Sequence, residues 1–215
     1  MKFLREMVYP LQAVCQGCGS AAGQDSDWLC AECRERLARS WIGASNATGL
    51  CRAEGAAFAY AYAGPAGGMV RSLKYHGAHK LGEIMARDMV RALDLIEPIH
   101  ADMVVPVPMH RYRKRLRGYN QAEVLADHVA RMRGLEMCNA LARVRITAQQ
   151  ARLSGRERRE NVDQAISVTG DVLGKCILLV DDVCTTGATA AACEQALRAA
   201  GAAHVFLLCY TRAKE

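Results

Sequence analysis

Two neighbouring carboxylates precede a run of small and hydroxyl residues in the last fifth of the chain. Asp181 and Asp182 follow the apolar stretch 177–180, and three threonines surround Gly187 just before a predicted helix. The free backbone N–H groups and the positive dipole end of a helix N-terminus bind anions, and hydroxyl groups add further donors. The segment therefore predicts a phosphate site, to which we assign Cys184, Thr185, Thr186, Gly187, Ala188 and Thr189.

The two aspartates indicate a second part of the ligand beside the phosphate. Adjacent carboxylates would repel a phosphate unless they hold neutral hydroxyl groups or a divalent cation. A sugar phosphate meets both conditions, because Asp181 and Asp182 can contact its ribose hydroxyl groups or the water shell of Mg²⁺. A capped helix start after a buried strand is the simpler alternative, but two acids and three threonines exceed what a cap needs. The segment has neither the lysine of a P-loop nor a dinucleotide-binding glycine pattern.

Four cysteines near the amino terminus have the spacing of a metal site. Cys15 and Cys18 form one C-x-x-C pair, Cys30 and Cys33 form a second, and 11 residues separate the pairs. Two such pairs can close a tetrahedral Zn²⁺ site with no open position, which predicts a structural ion. A redox dithiol and a chance group of buried thiols are the alternatives, although the segment lacks the context of a thioredoxin-like pair. Cys51 has no nearby partner and is expected to be a spectator thiol.

The segment 107–160 carries the positive charge of the chain. It holds 13 basic and 5 acidic side chains, whereas the whole chain has 28 Lys and Arg against 22 Asp and Glu. Five basic groups lie at positions 111–117, where we expect a loop after a short strand. This charge predicts an anionic partner, either phosphate, pyrophosphate or nucleic acid. The alternatives are a solvated surface loop and, because Tyr112 and Tyr119 alternate with arginines, a surface for single-stranded nucleic acid.

Strand and helix patterns alternate over the rest of the chain. At the carboxyl-terminal end, strand, helix and strand over about 35 residues form a right-handed crossover unit. We therefore predict an α/β fold with a mainly parallel sheet flanked by helices, divided into a small zinc-binding module with four cysteine ligands at residues 1–55 and a main domain at residues 56–215. Strands are predicted at residues 57–62, 103–108, 141–146, 175–180 and 204–209, and helices at residues 69–75, 81–93, 121–133 and 188–200.

Composition excludes several classes of protein. With 51% hydrophobic and 23% charged residues, the chain is neither disordered nor fibrous. No apolar stretch approaches the ~20 residues that span a bilayer, so we expect no membrane insertion. Glu6, Pro10 and Gln12 interrupt what would be a secretory signal, which favours the cytoplasm. In that reducing compartment, the ten cysteines are expected to be metal ligands or core residues.

Residues 177–189 resemble the phosphoribosyl pyrophosphate (PRPP) motif of type I phosphoribosyltransferases. The chain as a whole resembles the ComF/GntX family, which is associated with bacterial competence and places a zinc module before a phosphoribosyltransferase-like domain. Besides the cysteine quartet, the matching stretches are Leu73-Lys74-Tyr75, Val105-Pro106-Val107-Pro108, Arg117-Gly118-Tyr119-Asn120-Gln121, the spaced residues Arg143, Arg145, Thr147, Gln150 and Leu153, and the pair Arg158 and Asn161.

The resemblance implies roles for particular residues. It implies PRPP with Mg²⁺ as the ligand, Asp181, Asp182 and Arg117 as catalytic residues, and a mobile flap at 111–117 that closes over pyrophosphate. Lys74 and Arg117 are the expected pyrophosphate contacts.

The resemblance also implies a role in DNA uptake and natural transformation, with single-stranded DNA and other competence proteins as expected partners. The acceptor of a transfer reaction stays open, as does turnover itself. The alternative function is a single-stranded nucleic-acid-binding competence module whose phosphoribosyl site is regulatory.

Overall fold

The computed structural model describes residues 14–21, 28–45, 55–75, 79–96, 99–143 and 166–213. Their helices are α1 (Ala31–Arg39), α2 (Gly64–Tyr75), α3 (His79–Leu93), α4 (Arg111–Arg117), α5 (Gln121–Arg133) and α6 (Ala188–Ala199). Their strands are β1 (Trp41–Ser45), β2 (Gly55–Ala61), β3 (Met103–Pro106), β4 (Glu136–Met137), β5 (Leu141–Arg143), β6 (Ile166–Val168), β7 (Cys176–Cys184) and β8 (His204–Arg212).

Six of these strands form one sheet in the order β1-β2-β8-β7-β3-β4. The edge strand β1 runs antiparallel to β2, and every other neighbouring pair is parallel. Strands β5 and β6 form a separate antiparallel pair. The predicted α/β fold with a mainly parallel sheet is therefore confirmed.

The central strand β7 is buried on both faces by helices. Successive side chains of a strand point to opposite faces of the sheet. Leu178 and Val180 accordingly belong to the core that includes residues of α2, α3 and α5, whereas Ile177 and Leu179 belong to the core that includes α6. This arrangement fixes the carboxyl end of β7 between α2 and α6, where the two aspartates lie.

The helix α5 has the bounds that the sequence predicts. The side chain of Asn120 accepts a hydrogen bond from the N–H of Ala122 and caps its first turn. Gly134 ends it with a φ of 66°, a left-handed conformation that favours glycine. Helix α5 therefore begins at Gln121, and its first turn lies near the carboxyl end of β7.

The basic segment 111–117 is a helix rather than the expected loop. The Nδ1 atom of His110 accepts a hydrogen bond from the N–H of Tyr112, and Gly118 ends the helix with a φ of 91°. Lys114 also forms an ion pair with Glu123 of α5, with 2.7 Å between Nζ and Oε1. These caps and this ion pair, rather than an apolar face, hold α4, because none of its residues is buried.

Strand β1 precedes the predicted domain boundary and yet pairs with β2 of the main sheet. The division of the chain at residue 55 stays a prediction. Cys51 and the residues of the motif at 145–161 lie outside the described residues, as does the predicted continuation of β5 after residue 143.

Among the described residues, the helices are too short or too polar to span a bilayer.

Candidate functional site

A cavity of about 230 Å³ opens at the carboxyl ends of β3 and β7. Ligands bind at this end of the strands in open parallel sheets. Most of its lining side chains are polar or charged, and four of them are cations facing one carboxylate. The lining residues are Lys74, Val107, Pro108, Met109, His110, Tyr112, Arg113, Arg117, Asn120, Gln121, Arg143, Asp181 and Thr189.

Asp181 is the carboxylate that lines the cavity. It is the sixth residue of β7, and its side chain is half-buried. Burial first, and then the neighbouring charge of Asp182, raise the pKa of Asp181 well above its usual range, while the Lys74 ammonium opposes the rise. A carboxyl group in this state gains from a ligand that brings a cation or hydroxyl donors to it.

Asp182 does not line the cavity, although we expected both aspartates to face one ligand. It is 4% exposed, and Lys74 Nζ lies 2.6 Å from its Oδ2 atom. The amide Nε2 of Gln121 donates to its Oδ1 atom at 3.4 Å. The strand β7 continues to Cys184, so adjacent aspartates alternate in direction, and Asp182 lies behind Lys74 as its buried partner.

The connection from β7 to α6 is a three-residue loop that ends at Gly187. Gly187 has a φ of 75° and precedes the first residue of α6. Thr189 lines the cavity from the first turn of α6, so the helix N-terminus faces it. Thr185, Thr186 and Ala188 are exposed to solvent and are not among the lining residues.

Cys184, the last residue of β7, is the one residue assigned to the phosphate site whose side chain turns inward. It is 4% exposed, and its thiol forms a hydrogen bond with that of Cys209 on β8. This hydrogen bond, together with Arg212 nearby, lowers the pKa of the Cys184 thiol. Its side chain is therefore directed into the core rather than toward a ligand.

Helix α4 forms one wall of the cavity. Tyr112, Arg113 and Arg117 line the cavity from this helix. The Arg117 Nη1 atom lies 2.5 Å from Oε1 of Gln121, and its guanidinium stacks 5.5 Å from the ring centre of Tyr75. The predicted pyrophosphate contacts Lys74 and Arg117 are thus brought together with Asp181 and Thr189.

Four further polar residues line the cavity, and the sequence assigns no ligand contact to them, although three of them lie in stretches that carry the family resemblance. His110 precedes α4, Asn120 precedes α5, and Gln121 is the first residue of α5. All three follow the Val-Pro-Val-Pro stretch that the resemblance includes. Arg143 reaches the cavity from β5, and partial burial lowers the pKa of its guanidinium. The spaced arginines at positions 143 and 145 are the sequence signal that could have identified Arg143 as a lining residue.

The four predicted metal ligands form one cluster. The Sγ atoms of Cys15, Cys18, Cys30 and Cys33 all lie within 4.8 Å of one another, and 3.9 Å separates those of Cys18 and Cys30. A tetrahedral ion with metal–sulfur bonds of about 2.3 Å holds its sulfur atoms about 3.8 Å apart. The donor set therefore fits a tetrahedral metal ion.

The surroundings of the cluster favour thiolates at some positions and oppose them at others. Hydrogen bonds from Ser20 lower the pKa of Cys18 to about 6, and the N–H of Cys30 donates to Cys15 Sγ at 3.3 Å. Burial and the neighbouring thiols raise the pKa of Cys33. A bound cation would relieve the repulsion among four thiolates, so the cluster could hold a structural metal.

Comparison with known proteins identifies a family domain in the second half of the chain. The model of the phosphoribosyl transferase domain matches residues 102–215, which include β3, β7, α6 and β8. Glutamine PRPP amidotransferase from B. subtilis, solved with ADP and GMP, aligns with a TM-score of 0.43 at 22% identity. The alignment covers 64% of this chain and 30% of that chain.

Two relatives are similar along a longer part of the chain. DNA utilization protein YhgH of Escherichia coli strain K12 is 33% identical over 161 residues, covering 70% of this chain and 69% of the relative. Competence protein F of Haemophilus influenzae is 29% identical over 148 residues, covering 65% of each chain. The domain match and these relatives show that the chain belongs to the ComF/GntX family of phosphoribosyltransferase-like proteins.

Proposed function

We propose that the cavity binds PRPP, or a related phosphoribosyl ligand, together with Mg²⁺. The observation that carries this proposal is the meeting of Asp181 and Thr189, at the strand end and helix start, with the cations Lys74, Arg113 and Arg117. A ligand with one hydroxyl-rich part and two anionic ends matches that distribution of charge. A purely anionic ligand would bring neither a hydroxyl group nor a cation to Asp181, the carboxylate that lines the cavity.

Each part of the cavity suits one part of such a ligand. The first turn of α6 and the hydroxyl of Thr189 suit the 5-phosphate, because free N–H groups and the helix dipole favour an anion. Asp181 suits the ribose hydroxyl groups or the water shell of Mg²⁺. Arg113 and Arg117 suit the pyrophosphate, whose oxygens match a guanidinium fork. Asp182 contributes through Lys74, whose ammonium it holds in place.

A transfer reaction would use the same arrangement. Cations on the pyrophosphate would stabilise the charge that develops as the bond to ribose breaks and an acceptor nucleophile attacks the sugar carbon. By the names of the relatives, the role we propose lies in the use of incoming DNA by a competence-type protein.

For the four-cysteine cluster we propose Zn²⁺ as the structural metal. Four thiolates in tetrahedral geometry suit this ion, and the cluster offers no open position for chemistry. The metal would stabilise the amino-terminal segment, whose buried residues Cys15, Leu29, Cys33 and Leu37 belong to the same core as those of α2.

Calorimetric titration tests the PRPP proposal. PRPP with Mg²⁺ should bind the parent protein with one site per chain, and Asp181→Ala should abolish the binding heat. Pyrophosphate release during incubation with candidate acceptors then tests for turnover. Absence of binding to the folded, metal-loaded parent protein would contradict the proposal.

A second candidate function is binding of single-stranded nucleic acid along α4. The helix is exposed, carries five basic side chains, and presents Tyr112 with 59% of its surface exposed. Basic grooves with exposed aromatic rings bind single strands through phosphate contacts and base stacking. Strand binding should weaken with salt and with Arg113→Ala/Arg115→Ala, and it should survive Asp181→Ala.

A further inference from the structure

The four-cysteine cluster lies directly against α2, the helix that ends beside the cavity. We call residues 15–18, which contain the first cysteine pair, the knuckle. Gly17 in the knuckle is buried, and a β-carbon there would lie 3.1 Å from Cβ of Pro65 and 3.0 Å from Sγ of Cys33. The knuckle backbone therefore contacts α2 with no space for a side chain between them.

Two further contacts hold the same face of the helix. A β-carbon at Gly68 would overlap the carbonyl group of Gly17, so glycine alone permits this approach. One turn later, the hydroxyl of Ser72 donates to the carbonyl oxygen of Gln16 at 3.3 Å. Gly68 and Ser72 are both buried, so the contact between the knuckle and α2 excludes solvent.

The last turn of α2 contacts the site. Lys74 forms the ion pair with Asp182, and the hydroxyl of Tyr119 donates to the carbonyl oxygen of Leu73. Ser72 and Lys74 are two residues apart on one helix. A displacement of α2 at the knuckle would therefore displace the ammonium group at the cavity.

We propose that the metal-loaded knuckle is a positioning element that fixes α2 and, through it, holds Lys74 against Asp182. Gly68 and Ser72 are its positioning residues on the helix. The consequence for ligand binding rests on the proposed function. If PRPP requires Lys74 in this place, metal and PRPP strengthen each other's binding by the same factor, because linkage between two sites is reciprocal.

Amine labelling measures the position of Lys74 without any ligand. An acylating reagent modifies lysines at a rate that depends on their exposure, and mass spectrometry gives the rate for Lys74 relative to the exposed Lys80 in the same molecule. In the metal-loaded parent protein, Lys74 should be protected. Removal of the metal with a chelator should raise its relative rate at least fivefold.

Two neighbouring glycines provide a matched pair of variants. Gly68→Ala places a methyl group into the Gly17 carbonyl, and Lys74 should label rapidly even with metal bound. Gly67→Ala adds the same methyl group one position earlier, where its nearest atoms are the Arg71 and Tyr62 side chains at 3.4 Å or more. It should behave as the parent protein. If circular dichroism shows that Gly68→Ala does not fold, Ser72→Ala decides, with an intermediate rate expected.

Titration of the same samples with PRPP and Mg²⁺ separates the two proposals. A fivefold or greater loss of affinity in metal-free protein and in Gly68→Ala, but not in Gly67→Ala, would support the inference. Lys74 protection that does not depend on metal, or on the substitution at Gly68, would overturn the inference even if PRPP binds. Metal-dependent protection with no PRPP binding would support the positioning role and contradict the proposed function.

Discussion

Lys74 and Asp182 form a buried ion pair between α2 and β7, with 2.6 Å between Nζ and Oδ2. The side chain of Asp182 is 5% exposed, whereas that of Lys74 is 23% exposed and also lines the cavity. The pair therefore joins the hydrophobic core to the candidate ligand site. The ammonium group can contact a ligand while its buried partner keeps it in place.

Removing the two partners of this pair should have unequal effects on stability. Lys74→Met leaves a buried carboxylate without its cation, and the free energy of unfolding should fall by about 3–5 kcal/mol. Asp182→Asn leaves a lysine that can reach solvent, so the free energy of unfolding should fall by less in this variant. Urea unfolding of both variants, and of the double variant, measures the difference. A loss below about 1 kcal/mol for Lys74→Met would show that the pair is exposed in solution.

Asp181→Asn should stabilise the unliganded protein at neutral pH. The raised pKa of Asp181 means that the folded protein holds this proton more tightly than the unfolded chain does. The stability it contributes is therefore full below the ordinary value of 3.8 and is lost as the pH rises through the raised pKa. The urea midpoint of Asp181→Asn should exceed that of the parent protein at pH 7.5, and the difference should shrink toward pH 4.

Asp181→Asn should also weaken PRPP binding, since an amide cannot replace the carboxylate beside Mg²⁺. The exposed Glu136→Gln serves as a control that removes one negative charge away from the cavity. Equal pH dependence of unfolding for Asp181→Asn and for the parent protein would contradict the assignment of the raised pKa to this residue.

The elements with an apolar pattern could be predicted from the sequence. Helix α5 has its predicted bounds because a capping asparagine and a terminal glycine mark both ends. Helix α4 was missed, because it buries no residue and has no apolar periodicity to detect. Its stability comes from His110, Gly118 and an ion pair with the next helix, and such contacts depend on tertiary structure.

The end of β7 shows the same limit within the site. The apolar run ends at Val180, so the sequence predicts a strand that ends there, with both aspartates emerging at its carboxyl end toward one ligand. In the structure, pairing with β8 continues to Cys184, and strand alternation separates the two carboxylates. The cation partner of Asp182 lies 108 positions earlier in the chain, at Lys74. No local pattern indicates a pairing across that distance.

Loss of one cysteine ligand should release the metal. Cys18→Ser should lower the affinity for Zn²⁺ by more than about tenfold, since even changes around the ligands of a metal commonly cost that much. Native mass spectrometry and competition with a chelator measure the occupancy. Cys138→Ser, a half-buried cysteine outside the cluster, should keep one ion per chain. Equal metal content in both variants would contradict the four-cysteine site.

Arg117 should contribute to PRPP affinity through its geometry as well as its charge. A charge-assisted hydrogen bond contributes about 1.5–3 kcal/mol, so Arg117→Ala should weaken PRPP binding by about 10- to 100-fold. Arg117→Lys keeps the charge but loses the planar fork that also stacks on Tyr75. Its affinity for PRPP should lie between that of the parent protein and that of Arg117→Ala. Titration calorimetry at fixed ionic strength gives all three constants.

The control for Arg117 is Arg131→Ala on α5, which removes an exposed guanidinium paired with Asp127 at 2.8 Å. It lowers the net charge by the same amount without touching the cavity, so PRPP affinity should stay within about twofold of the parent value. If Arg117→Ala and Arg131→Ala weakened binding equally, PRPP would respond to the overall charge of the protein. The placement of pyrophosphate beside α4 would then fail, while Asp181 and the α6 N-terminus could still hold the ribose phosphate.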